Sequence, residues 1–149
     1  MNVVIDGDSV AKLREDNWSG MFAAPDLYIL QLGQWSYHNE SAPQFTDGMS
    51  RIISAVHDMG VPVILCTPTH MAPHDHPEKW TVRAIHDLAR RYNTALVDFY
   101  SRLIDDDADE SWFLEIDLST KWVCHLNARG SREAVTYFDK VIQPYEVNL

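Results

Sequence analysis

The sequence predicts an α/β fold, in which a small parallel sheet lies between two layers of helices. Short apolar runs alternate with longer segments in which apolar residues recur at helical spacing. The runs are apolar almost throughout, which is typical of parallel strands covered on both faces. With 149 residues, of which 46% are hydrophobic, the chain is long enough for one core and too short for two. We therefore expect a single domain over residues 1–149.

Strands and helices are expected to alternate along the chain. The sequence predicts strands at 2–7, 26–32, 61–66 and 94–100, and helices at 10–15, 43–59, 77–92 and 131–142. Gly60 follows the second helix in the position that helix C-termini prefer, and Pro77 suits the first turn of the third. Residues 33–39 are expected to form a loop. Ligands bind such sheets outside the carboxyl ends of the strands, which right-handed crossovers bring to one edge.

The first predicted strand runs directly into Gly7-Asp8-Ser9, and a helix is expected to follow. A serine at a helix N-terminus lies beside unpaired N–H groups and a partial positive charge, and both favour an oxyanion. Asp and Ser are also ordinary N-cap residues, so the same tripeptide suits a simple strand-to-helix turn. Taken alone, the tripeptide leaves both interpretations open.

A second motif stands near the C-terminus, where His125 precedes Asn127, Gly130 and the last predicted helix. An imidazole is the usual general base for a serine nucleophile, because a free serine hydroxyl is weakly nucleophilic. The alternative for His125 is a polar residue that caps the last helix. Together with Ser9, the motif favours a serine hydrolase.

Gly7-Asp8-Ser9 and the segment from His125 to Gly130 resemble the first and last sequence blocks of the SGNH (GDSL-like) hydrolase family. The order of strands and helices resembles that family over nearly the whole chain. The resemblance implies a three-layer α/β/α sandwich with flavodoxin-like strand order. It also implies that Ser9 is the nucleophile, that His125 is its base, and that an acyl-enzyme forms on Ser9 during ester hydrolysis or acyl transfer.

The chain departs from the family pattern at the triad acid and in the first crossover. The family places an Asp three residues before the His, where this chain has Trp122. Asp117 is the expected substitute, and the alternatives are Glu115 or backbone carbonyls that orient a Ser–His dyad. About 17 residues separate Ser9 from Asp26, which is short for the usual helix, strand and second block. Either one strand of the sheet is missing, or Gly20 supplies the second block's N–H from a loop.

A further departure concerns the oxyanion hole, where the family has an Asn two residues after a Gly. The equivalent segment here is Gly33-Gln34-Trp35, so we expect the Gln34 side chain and the N–H groups of Ser9 and Gly20 to act as donors. The segment also resembles the Gly-x-Trp version found in SGNH-like domains of acyltransferase-3 membrane proteins and in polysaccharide acyl-esterases. That resemblance implies an acetylated carbohydrate as substrate, with Trp35 shaping the site. The alternative for Trp35 is a core or rim aromatic residue.

The composition argues against several classes of partner. With 22 acidic and 12 basic residues, the net charge of -10 should repel phosphate backbones, so we expect no nucleic-acid partner. No run approaches the ~20 apolar residues of a membrane span, and Met1 leads into a strand without a signal-peptide pattern. We expect no membrane contact and, unless the chain is a domain of a longer protein, a cytoplasmic location. The expected partner is a small-molecule or glycan ester, no cofactor is expected, and the oligomeric state is not indicated.

Two smaller clusters leave alternatives open. His70, His74 and His76 lie close enough in sequence to bind zinc, although a solvated or substrate-facing loop is the favoured interpretation and no metal site is expected. Cys66 and Cys124 either form a disulfide or remain two buried thiols. Two other functions compete with the serine esterase: a metal-dependent hydrolase at the His cluster, and a degenerate module that binds a glycan or protein partner without turnover.

Overall fold

The computed structural model describes residues 10, 26–34, 36–69, 79–104 and 125–146. Three strands in these ranges form a parallel sheet in sequential order: β1 (Tyr28–Gln31), β2 (Val63–Cys66) and β3 (Ala95–Val97). The helices described are α1 (Ser36–Asn39), α2 (Ala42–Asp58), α3 (Lys79–Tyr92), α4 (Phe99–Ile104) and α5 (Ala128–Glu146). The predicted α/β class with a small parallel sheet is confirmed. The predicted strand at 2–7 lies outside the described residues.

The sheet separates two apolar layers, because successive side chains of a strand point to opposite faces. Val63 and Leu65 of β2 belong to the layer that also contains the buried residues of α2 and α3. Ile64 and Cys66 belong to the opposite layer, with residues of β3, α4 and α5. This arrangement is the three-layer sandwich that the sequence predicts.

Helix α2 shows how local sequence sets the bounds of an element. Its buried residues recur at helical spacing and face the sheet: Phe45, Met49, Ile52, Ile53 and Val56. At the start, the Ser41 N–H donates to Gln44 Oε1 at 2.9 Å. At the end, Gly60 takes a φ of +72°, a left-handed conformation that favours glycine, and its N–H donates to the His57 carbonyl at 2.8 Å. The predicted helix at 43–59 therefore lies within one residue of the observed one.

The structure differs from the sequence prediction at the end of β3 and in the segment after β1. Strand β3 ends at Val97 rather than at residue 100, because Asp98 begins a new helix: its Oδ1 accepts the N–H of Ser101 at 3.1 Å. The predicted loop at 33–39 contains the short helix α1, in which the N–H of Glu40 donates to the Ser36 carbonyl at 2.9 Å.

Helix α5 packs along the layer that contains β3. Its apolar side is partly buried and comprises Ala134, Tyr137, Phe138, Val141 and Ile142. Val135, on its outer side, is 60% exposed. The helix is longer than the predicted 131–142, since it begins at Ala128. Within the described ranges, no helix combines the length and the hydropathy needed to cross a membrane.

Candidate active site

Polar residues follow each strand at the carboxyl edge of the sheet. Gly33 and Gln34 come shortly after β1, Thr67 directly follows β2, and Asp98 directly follows β3. Because the three strands are parallel and adjacent, these segments share one edge. This is the edge at which ligands bind in open α/β sheets.

Gly33 lets the chain leave β1 between two helices. Its φ of +105° lies in the region that favours glycine. A Cβ at this position would lie 3.1 Å from Phe45 Cζ on α2 and 3.3 Å from Thr81 Cβ on α3. Both the backbone conformation and the close packing therefore require glycine, which holds the next residue, Gln34, in a defined place.

The side-chain amide of Gln34 is buried, and its Nε2 has no hydrogen-bond partner among the described residues. A buried donor left unpaired costs about 1–3 kcal/mol, so such groups usually indicate a function or a missing ligand. In the described part of the chain, the hydroxyls of Ser50 and Thr94 are likewise buried without a hydrogen-bond partner. Thr94 precedes β3 and so lies at the opposite edge of the sheet. Only Gln34 among these three follows a strand at the carboxyl edge.

Asn127 explains much of the C-terminal motif. Its Oδ1 accepts the N–H groups of Arg129 and Gly130, each at 2.9 Å, and its carbonyl accepts the N–H of Ser131 at 2.8 Å. Asn127 is thus the N-cap of α5, and Gly130 is buried in the first turn. His125 stands two residues before this cap with its side chain exposed, and no described residue hydrogen-bonds its imidazole.

Contacts between α4 and α5 place these two helices side by side. Phe99, at the start of α4, packs edge-on against Tyr137, with ring centroids 6.3 Å apart. Further along α4, Arg102 pairs with Glu133. The later part of α4 therefore lies beside the first turns of α5, which is the end of the helix that His125 precedes.

A hydrogen-bond network around Asp98 ties the ends of β2 and β3 together. Asp98 Oδ1 accepts the hydroxyl of fully buried Thr67 at 3.1 Å, and Asp98 Oδ2 lies 2.9 Å from His86 Nε2 and 2.7 Å from Ser101 Oγ. Thr67 Oγ1 in turn accepts the N–H of Tyr100 at 2.9 Å. Sequence reasoning missed this network because it placed Asp98 inside a strand, although Asp is a common N-cap residue.

Cys66 is a free, buried thiol at the end of β2. Burial raises its pKa to about 12, because the thiolate would lose its hydration in the apolar layer. Of the two sequence alternatives, the structure has the thiol rather than a disulfide. A thiol that stays protonated at neutral pH is a poor nucleophile.

The other predicted site residues lie outside the described residues. These are Ser9, Gly20, Trp35 and Asp117, together with Cys124 and the His cluster at His70, His74 and His76. Their roles therefore stay predictions. Val10, bonded to Ser9, is described as helical and fully buried.

No protein-family model and no curated protein matches the chain. Solved structures do. A protein from Parabacteroides merdae assigned as a GDSL-like lipase superposes with a TM-score of 0.73 and 15% identity, over 91% of this chain and 68% of that one. A lipase/acylhydrolase from Enterococcus faecalis gives a TM-score of 0.71 and 14% identity, over 93% and 72%. A member of the lipolytic G-D-S-L family from Veillonella parvula gives 0.69 and 19%, over 93% and 76%.

At such low identities, likeness over nine-tenths of the chain is evidence of shared architecture rather than of shared substrate. It agrees with the sheet, the layers and the capped final helix described above. The chain has the fold of the SGNH/GDSL-like hydrolases.

Proposed function

We propose that the chain is a serine ester hydrolase or acyltransferase that forms an acyl-enzyme on Ser9, with His125 as the general base. Its proposed substrates are acyl esters, above all acetyl esters carried by a carbohydrate. The fold shared with lipases and acylhydrolases supports ester chemistry. The observation that carries the proposal is the buried, unpaired Nε2 of Gln34 at the carboxyl edge of the sheet.

Gln34 Nε2 has the properties that an oxyanion-hole donor needs. When a serine attacks an ester, the carbonyl oxygen gains negative charge and requires donors that are already in place. Gln34 Nε2 has no described partner to give up, and it is shielded from water, which strengthens an electrostatic contact. Loss of one such donor lowers the rate by roughly 100- to 1000-fold in known hydrolases. The N–H groups of Ser9 and Gly20 are the proposed companion donors.

The proposed reaction has two symmetrical steps. Ser9 Oγ forms a bond to the acyl carbon while His125 takes the hydroxyl proton, and the carbonyl electrons move onto the oxygen held by Gln34. The tetrahedral intermediate collapses, the bond to the leaving alkoxide breaks, and His125 returns the proton to that oxygen. Water, or an acceptor hydroxyl in acyl transfer, then attacks the acyl-enzyme by the same route. Asp117 is the proposed group that orients His125.

The placement of His125 suits this role. The cap formed by Asn127 holds its backbone at the start of α5, and the exposed imidazole can exchange protons with water between the two steps. Trp35 directly follows Gln34, so its ring is proposed to shape the pocket for the sugar that carries the acyl group. An aromatic face beside a polar donor is a common means of binding such amphipathic ligands.

Labelling with a fluorophosphonate probe, read by mass spectrometry, tests the proposal. We expect an adduct on Ser9 in the wild type, loss of the adduct in Ser9→Ala, and strongly slowed labelling in His125→Ala. His57→Ala is the matched control, because His57 is an exposed histidine near the end of α2 and has no proposed role. Unlabelled wild type and variants would then be assayed on p-nitrophenyl acetate and on acetylated sugars, with and without a chelator.

A folded wild type that forms no adduct and hydrolyses no ester would overturn the proposal and favour the non-catalytic binding module. An ester hydrolase activity that disappears with the chelator but does not need Ser9 would instead favour a metal-dependent hydrolase.

A further inference from the structure

Helix α2 packs directly against the main chain beside Ser9. A Cβ placed on Gly48 would lie 2.8 Å from Val10 Cγ1, 3.6 Å from the Val10 carbonyl oxygen and 3.8 Å from its carbonyl carbon. Val10 is fully buried in the core layer that contains α2. Since consecutive Cα atoms are about 3.8 Å apart, a contact that places the Val10 backbone also restricts Ser9.

One turn earlier, the same helix packs against the residue before Gln34. A Cβ on Gly33 would lie 3.1 Å from Phe45 Cζ. Phe45 is itself fixed by an edge-to-face contact with Trp80, at a centroid distance of 5.6 Å. Residues three apart on a helix share a face, so positions 45 and 48 of α2 meet these two main-chain segments side by side.

We propose that Gly48 is a positioning residue for Ser9, and that α2 sets the spacing between the nucleophile and the oxyanion donor. Phe45 holds the chain at Gly33 next to Gln34, and Gly48 admits Val10 next to Ser9. The inference rests on the proposed function of Ser9 and Gln34. Gly48 would thus influence the rate of acylation at Ser9 from a helix that carries no reacting group.

The geometry indicates how far a side chain at Gly48 would move the nucleophile. Ordinary contact begins at 3.4 Å, so a methyl group 2.8 Å from Val10 Cγ1 requires a shift of about 0.6 Å. Val10 cannot turn aside easily, because a β-branched side chain has few rotamers and this one is fully buried. A misplacement of about 1 Å costs an enzyme roughly 100-fold in rate, so a shift of this size is expected to lower kcat about tenfold or more.

The test uses the full chain and four variants: Gly48→Ala, Val10→Ala, the double variant, and Val56→Ala. Val56 is fully buried on α2 but takes no part in the site, so its variant controls for lost stability. The measurements are the rate of fluorophosphonate labelling at Ser9, kcat and KM for p-nitrophenyl acetate, and Tm. We expect Gly48→Ala to lower kcat and the labelling rate about tenfold or more with KM little changed. Val56→Ala should lower Tm and leave both rates near wild type.

The double variant should recover most of the labelling rate. Removing Val10 Cγ1 leaves only contacts of 3.6 and 3.8 Å to the new methyl group, and these are ordinary distances. If Gly48→Ala does not fold, the double variant is compared with the wild type instead. Recovery of labelling in the double variant supports the inference. A double variant that folds but is not labelled overturns it.

Failure of this inference differs from failure of the proposed function. A folded wild type without labelling or activity refutes the proposed function, and the inference falls with it. If the wild type is labelled and Gly48→Ala is labelled at the same rate, only the positioning role of Gly48 is refuted.

Discussion

Replacement of Gln34 by methionine should raise stability while it lowers activity. Gln34→Met keeps the length of the side chain but removes the buried Nε2 that has no described partner. Most substitutions that lower activity leave stability unchanged or reduce it. A gain in stability together with a loss of activity would therefore identify Gln34 Nε2 as a hydrogen-bond donor that acts on a ligand rather than within the fold.

The expected magnitudes follow from the burial of that one atom. An unpaired buried amide costs about 1–3 kcal/mol, and its removal should return part of this, so we expect the free energy of unfolding to rise by about 1 kcal/mol. Loss of an oxyanion donor costs about 2.7–4 kcal/mol in the transition state, so kcat should fall roughly 100- to 1000-fold. KM should change little, since the ground-state carbonyl is bound more weakly than the oxyanion.

Urea unfolding measures the free energy of unfolding, and steady-state hydrolysis of p-nitrophenyl acetate measures kcat. Gln31→Met is the matched control, because Gln31 is an exposed glutamine at the end of the same strand. The reasoning is refuted if Gln34→Met loses stability, which would mean that Nε2 has a partner in the fold. It is also refuted if the wild type is active and Gln34→Met retains its kcat.

Three further predictions concern described residues. Because burial raises the pKa of Cys66 to about 12, iodoacetamide should leave it unmodified in the folded protein at about pH 8 and alkylate it in urea, as read by mass spectrometry. This raised pKa favours the folded state below about pH 9, and that stability is lost as the pH rises toward 12. Thr67→Val should lower the free energy of unfolding by about 1–3 kcal/mol in urea, because the N–H of Tyr100 loses its acceptor, whereas Thr67→Ser keeps it. Asn127→Ala should cost about 1 kcal/mol through loss of the α5 cap and slow the labelling that depends on His125, whereas Asn127→Asp preserves both.

Each of these predictions has a result that would contradict it. Rapid alkylation of Cys66 in the folded protein would mean that the end of β2 is open to solvent. Equal stability of Thr67→Val and Thr67→Ser would show that the hydroxyl is dispensable. Unchanged labelling in Asn127→Ala would separate the helix cap from the placement of His125.

Much of the fold was predictable because its signals are local. The apolar run before Cys66 predicts a buried strand, and the helical spacing from Phe45 to Val56 predicts α2 almost to the residue. The end of β3 was not predicted correctly, because Phe99 and Tyr100 are apolar and extend the strand pattern. They enter a helix because Asp98 caps it and holds the distant hydroxyl of Thr67.

The distinction between local signals and long-range contacts also applies to the candidate site. The sequence alone identified Gln34 and His125 as candidates, since both lie in short motifs that resemble a known family. The structure places Gln34 after β1 at the carboxyl edge of the sheet, and His125 two residues before the cap of α5. It also explains Asn127 as the cap of α5, which the motif does not distinguish from a catalytic group.

The sequence by itself determined the α/β class, most of the helices and strands, and the two motifs that indicate a serine hydrolase. Only the tertiary structure decided that Gln34 Nε2 is buried without a described partner, that Cys66 is a free thiol, and that Gly48 admits Val10. Hydrophobic periodicity and helix capping depend on residues a few positions apart, so they can be recognised in the sequence. The burial of an amide, or the contact of Gly48 with Val10, depends on segments far apart in the chain, and their approach is set by packing of the whole core.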